Sequence, residues 1–113
     1  MSDGEPIALS RSQTSGIVAF TRLELNAILD VYGRRVAAGD WRDYAIDMGR
    51  DTAVFSVFRR ASEVPIYRIE KNPVLARKQG AYCVVTAAGQ ILKRGQDLNR
   101  VLAVLDKRLS LVD

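Results

Sequence analysis

The sequence predicts an α+β domain: an N-terminal helix, an antiparallel meander of four to five strands and a C-terminal helix, with both helices on one sheet face. Three observations lead there. Apolar residues recur at helical spacing near both ends, the middle of the chain follows a period of two, and short turn-bearing links separate the alternating stretches. That order argues for an antiparallel meander and excludes a parallel doubly wound sheet.

Residues 1–15 read as a flexible tail, ending in the Ser/Thr/Gln-rich stretch Ser10 to Ser15, and a single domain spans 16–113. Thr21 and Glu24 form a capping box, and Phe20 and Leu25 occupy the two positions of a hydrophobic staple. The helix that starts there carries Leu25, Ile28, Leu29, Tyr32 and Val36 as its apolar stripe. Arg34 and Arg35 complement the negative end of its dipole, and Gly39 supplies a left-handed stop. Gly33 inside it costs about 1 kcal/mol against alanine, which predicts close packing or local weakness at that point.

The period then becomes two. Tyr44, Ile46 and Met48 alternate with Asp43, Ala45 and Asp47, and a turn around Gly49-Arg50-Asp51 leads into Ala53, Phe55 and Val57 on the facing strand. The other side of this hairpin holds Asp43, Ala45 and Asp47 with Val54, Ser56 and Phe58, so the second strand is apolar on both faces and belongs inside the sheet or under cover. Further strands are expected at Ile66 to Glu70, Ala81 to Thr86 and Gln90 to Lys93, the last after a turn at Ala88-Gly89. Between them, the Asn72 to Gly80 loop is long enough for about one helical turn after Pro73. Asp97 caps the closing helix, whose stripe is Leu98, Val101, Leu102, Leu105 and Leu109.

At 113 residues the chain suits one core, and its apolar and charged fractions are those of an ordinary globular domain. No apolar run approaches the roughly 20 residues that cross a bilayer. The N-terminus carries Asp3 and Glu5 and lacks the pattern of a secretory signal, and Cys83 is the only cysteine. A reducing cytoplasm is the expected setting. Residues 1–56 sum to −2 and residues 57–113 to +6, an asymmetry that fits an anionic partner only if folding gathers the basic residues.

Enzymatic chemistry finds little footing. The chain has no histidine, which removes the usual general base and the commonest transition-metal ligand. Cys83 sits in the apolar run Ala81-Tyr82-Cys83-Val84-Val85 and reads as a buried filler. Asp40, Asp43, Asp47 and Asp51 repeat at intervals of three or four, but strand residues four apart are separated by about 13 Å, too far to share a cation, so pairing with arginines is expected. Gly-rich phosphate loops are absent, and no metal or small-molecule cofactor is implied.

What remains is binding without catalysis. The primary expectation is a protein-interaction module, through an unidentified protein or self-association, on a sheet face presenting Val54 and Phe58. Its competitor within the chain is cover by a terminal segment, with Ile17 and Val18 as an added strand. The alternative is nucleic-acid binding through Arg60, Arg68, Arg77 and Lys78, with Arg59, Lys71, Lys93, Arg94, Arg100, Lys107 and Arg108 adding charge and Phe58 and Tyr82 stacking bases. Neither Arg59-Arg60 nor Lys93-Arg94 would place both charges on one surface if extended. Trp41 is expected to seal the end of the first helix against the sheet.

The segments Gly39-Asp40-Trp41-Arg42-Asp43-Tyr44-Ala45-Ile46-Asp47, Tyr67-Arg68-Ile69-Glu70-Lys71 and Gly89-Gln90-Ile91-Leu92-Lys93-Arg94-Gly95 carry a resemblance. From about Val18 to Val112 the chain resembles a family of short alphaproteobacterial proteins known only as a domain of unknown function. The resemblance implies a bacterial cytoplasmic setting and transfers no activity or site residue.

Overall fold

Hydrogen bonding at Thr21 starts the first element as the sequence predicts. In the computed structural model, which describes residues 16–60 and 64–112, the last six of these by backbone alone, the Glu24 amide donates to Thr21 Oγ1 at 3.1 Å and the Thr21 amide donates to Glu24 Oε1 at 2.7 Å. Helix α1 runs Arg22–Ala37 and ends through Ala38 at Gly39, whose φ of +83° suits glycine. Strands β1 (Asp43–Met48), β2 (Ala53–Phe58), β3 (Tyr67–Lys71), β4 (Tyr82–Thr86) and β5 (Ile91–Gly95) follow, then helix α2 (Leu98–Val112). A 3-10 turn at Pro73–Leu75, capped by Asn72, occupies the β3–β4 loop. Asp97 caps α2 as expected, accepting from the Asn99 amide at 3.0 Å. The predicted tail and the Leu109 side chain lie outside the described residues.

The sheet is the expected antiparallel meander, in the order β1-β2-β3-β4-β5. Strands β3 to β5 lie about one residue later than their apolar runs suggested, because Ile66 and Ala81 serve as lead-ins and Gly95 still pairs with Tyr82. Tyr44 faces Val57, Ile46 faces Phe55 and Met48 faces Ala53, the predicted hairpin register. Ala53, Phe55, Val57, Ile69 and Val84 pack with Ile28 and Val31 of α1 and Leu98, Val101, Leu102 and Leu105 of α2 in one core. Both helices therefore cover one sheet face.

The structure sharpens two readings of α1. The buried side of α1 runs through Ile28 and Val31, while Leu29 and Val36 remain exposed on its flank. Gly33 has nothing within 4 Å of where a Cβ would stand among the described residues, which excludes close packing there and leaves local weakness of the helix. Trp41 behaves as predicted, buried between Tyr32 and Tyr67 with ring centroids about 6 Å away on either side.

Glu24 has a second role invisible from the cap. Lys71 Nζ donates to Glu24 Oε1 and to the Ala19 carbonyl, both at 2.8 Å, and the Tyr82 hydroxyl donates to Glu24 Oε2. One carboxylate thus ties the start of α1 to β3 and β4. Burial works to raise its pKa, but hydrogen bonds from Lys71, Tyr82 and Thr21 and the lysine charge outweigh that and leave it lowered. Burial and Glu24 together push Tyr82 up to about 12.

The β3–β4 loop closes through Gly80, whose φ is +100° and whose added Cβ would come within 2.3 Å of the Gly95 backbone. Gly80→Ala should therefore cost at least about 3 kcal/mol, read as a fall in the urea midpoint, since it meets both a disfavoured φ and a backbone clash. Glu24→Gln should destabilise by about 3 kcal/mol, against about 1 kcal/mol for Thr21→Ala, because it also leaves a largely buried lysine unpaired. The wild-type pH profile carries the same signature. The Glu24 contribution is full above pH 4.5 and lost as pH falls through the lowered value, and the Tyr82 contribution is full below pH 10 and lost as pH rises toward about 12. Thermal melts at both extremes check these losses, and Glu24→Gln should flatten the acid limb.

Candidate functional site

Side chains alternate along each strand, so the residues that skip the core define the second face of the sheet. Pairing aligns them in rows. Asp47, Val54, Glu70, Cys83 and Arg94 form one row across all five strands, Ala45, Ser56, Arg68, Val85 and Ile91 the next, and Asp43 and Phe58 sit beyond them. No helix among the described residues lies on this face.

The face is neither a bare apolar patch nor a uniform charge. Ser56, Cys83 and Val85 are buried, Val54 and Phe58 are half-buried, and Asp43, Ala45, Asp47 and Ile91 are exposed toward the edges. Arg68 Nε donates to Glu70 Oε2 at 3.2 Å, and Glu70 Oε1 lies 3.9 Å from Cys83 Sγ. Arg94 reaches the Gly80 carbonyl at 3.5 Å. Long charged side chains thus stand over small ones in mid-sheet, with acidic residues toward β1 and a basic one on β5. Burial pushes the Cys83 thiol pKa up, with Arg94 opposing and Glu70 adding to the shift.

Of the residues predicted to bind a partner, Val54, Phe58 and Arg68 share this face. Arg60 follows β2 at one end of the sheet, whereas Arg77 and Lys78 lie exposed in the β3–β4 loop at the other, about 15 Å of strand away. Arg59-Arg60 and Arg77-Lys78 therefore do not converge, whereas Arg94 reaches toward the β3–β4 loop, and the Lys107 and Arg108 side chains lie outside the described residues. Tyr82 is on the helix-covered face, held by Glu24, and cannot stack beside Phe58. Ile17 and Val18 form no added strand: the Val18 amide donates to the Gly49 carbonyl at 2.8 Å, and its side chain packs on the core side. Asp43 and Asp47 pair with no arginine among the described residues, and Asp40 instead meets Arg35 at the end of α1 at 3.3 Å.

Glu70, Cys83 and Arg94 complete the face, where the sequence offers Cys83 only as a buried filler, Arg94 only as added charge, and Glu70 in no binding role. Extending the period of two from Arg68 reaches Glu70, but Cys83 sits in a run apolar on both sides, and Arg94 depends on the irregular β4–β5 register between Val84 and Val85. No three His, Cys, Asp or Glu side chains gather to hold a metal ion among the described residues. No helix among them is long and apolar enough to cross a membrane.

Fold and surface together define a small α+β domain with one sheet face closed by two helices and the other left to a mixed charged and apolar surface. Residues 18–102 match the model of a family described as "Protein of unknown function (DUF2794)", and the chain belongs to that family. The matched span contains the Glu24 clamp and every residue of the open face. No curated protein and no solved structure matches the chain.

Cys83 should resist alkylation in the native state, because its thiol is buried and its thiolate disfavoured. Mass spectrometry after iodoacetamide at pH 8 should find it unmodified until urea unfolds the domain. Rapid native labelling would contradict the burial.

Proposed function

We propose that the protein is a small non-enzymatic binding module that takes a protein partner on the open face of its sheet. The observation that carries this reading is the row structure of that face: half-buried Val54 and Phe58 flanked by Asp43, Asp47, Arg68, Glu70 and Arg94 of both signs. Apolar anchors ringed by mixed charge suit a protein interface, where opposite charges select orientation and the apolar centre supplies affinity. A polyphosphate backbone is a poorer match. It would meet Asp43, Asp47 and Glu70 on the same face, and the exposed pair Arg77-Lys78 lies at the far end from Arg60.

Affinity capture from native lysate, with and without nuclease, tests the reading together with two variants. A protein partner retained after nuclease should be lost with Val54→Lys, by at least about tenfold in affinity, while Arg77→Ala with Lys78→Ala leaves it bound. Circular dichroism should show both variants folded. Recovery of nucleic acid that the Arg77 and Lys78 changes abolish would replace this function with the nucleic-acid one.

A further inference from the structure

Strand β1 is an edge. Its hairpin closes with the Gly49 amide donating to the Thr52 carbonyl at 2.9 Å, so positions 49, 47, 45 and 43 direct their backbone groups at β2. By alternation, Tyr44, Ile46 and Met48 direct theirs outward. The same three residues carry the apolar side of β1, and the outer two are under-covered: Tyr44 is 41% and Met48 44% exposed, while Ile46 packs on the core.

Helix α1 adds a matching stripe. Its Arg34 turns toward α2, meeting Asp106 at 3.0 Å, and Tyr32 sits over Tyr44 with ring centroids 5.0 Å apart. By helical spacing Leu29 and Val36 lie on the flank of Tyr32 turned away from Arg34, at 37% and 41% exposure. Gly33 lies between them with open space where its side chain would be. An apolar strip, a strand edge that pairs with nothing among the described residues and a glycine with open space beside it therefore occur together.

We infer that this side is the interface of a homodimer, in which β1 pairs antiparallel with β1 of a second copy and the two α1 helices meet at Gly33. The arrangement is self-complementary, as a two-fold contact requires. Centred on Ile46, the pairing sets Tyr44 against Met48 of the second copy and Ile46 against its own counterpart, apolar on apolar throughout.

Charge selects that register. A shift of one step places Asp43 opposite Asp47, and a shift the other way places Asp47 opposite Asp47, like charges that destabilise a sheet. In the Ile46-centred register Asp47 faces Ala45 instead, and Asp43 faces Gly49 beside Arg50 of the second copy. Neither Asp43 nor Arg50 has an ion-pair partner among the described residues of a single chain, so the dimer joins an unpaired acid to an unpaired base. The Tyr44 amide, now donating to Asp43 Oδ1 at 2.8 Å, exchanges that acceptor for the Met48 carbonyl of the second copy.

Both helices lie on the same sheet face, so a two-fold axis perpendicular to the sheet, midway between the two Ile46 residues, lays the α1 helices side by side. Glycine there permits close approach. This surface is separate from the open face, and the two readings stand or fall independently.

Sedimentation of the full chain over a concentration series tests the inference. The expected result is a reversible monomer–dimer equilibrium. Gly33→Arg and Met48→Lys should each weaken it at least about tenfold, and Gly33→Arg should hold or raise the melting temperature of the dilute protein, because arginine is the better helix former. Ala45→Lys, opposite Asp47 twice per dimer, should tighten association several-fold, and Ala45→Asp should loosen it. Val54→Lys should leave it unchanged. A chain that stays monomeric at every concentration overturns the inference, as does a dimer that survives both Gly33→Arg and Met48→Lys, or one that Val54→Lys dissociates. A monomer that instead binds an unrelated extended or helical peptide along the strip also overturns it.

Discussion

A single carboxylate sets the geometry on which the rest of this domain depends. Glu24 accepts from the Thr21 amide, from Lys71 and from Tyr82, so the same side chain ends the free amides of α1 and fixes that helix end to β3 and β4. Lys71 extends the joint to the entering chain through the Ala19 carbonyl. The far end of α1 is held differently, by Arg35 on Asp40, Arg34 on Asp106 and the buried Trp41. With both ends fixed, Ile28 and Val31 fall on Phe55 and its neighbours, and the helix cannot roll to bury Leu29 or Val36 as well.

That constraint divides the sheet. Two helices cover one face of five strands, and β2, apolar on both sides, gives Phe55 to the core and Val54 and Phe58 to the other surface. The open face stabilises itself in part: Arg68, Glu70 and Arg94 stand over Cys83 and Val85, whose burial does not depend on the core formed with the helices. Apolar stems of long charged residues can shield small neighbours while their charged ends stay in water. The open face is therefore patterned, with its acidic side on β1 and its basic side on β5.

Much of this was legible because the signals are local. The capping box, the Asp97 cap, the Gly39 stop and the β1–β2 register each rest on residues within a few positions of one another, where helix and hairpin geometry allow few outcomes. The long-range facts were not. Nothing near Tyr82 indicates that it turns to the helices to meet Glu24, 58 positions away, and nothing near Arg60 and Arg77 says that an odd number of strand crossings separates them. The apolar stripe of α1 is legible as a stripe, but the share of it that the core takes is not. Sequence periodicity counts apolar positions and not the width of the sheet beneath them, which reaches only to the edge strand.

The surplus on α1 and the openness of the second face lead to one account of the molecule. A mid-helix glycine with no neighbour among the described residues lowers helix stability by about 1 kcal/mol without compensation from them. An apolar edge strand is a liability that proteins usually blunt with charge or cover, yet Tyr44, Ile46 and Met48 present no charge along the outward row. The proposed second copy would account for both features, which no contact among the described residues of one chain does. A two-fold axis perpendicular to the sheet would keep the helices together on one side and carry both open faces to the other, as one continuous ten-strand surface. Two weak sites on such a surface act as one stronger site for a partner that is itself repeated, since the second contact forms at high effective concentration. On this account, the uncovered helix flank and the uncovered sheet face divide the work, the first assembling the protein and the second meeting its partner.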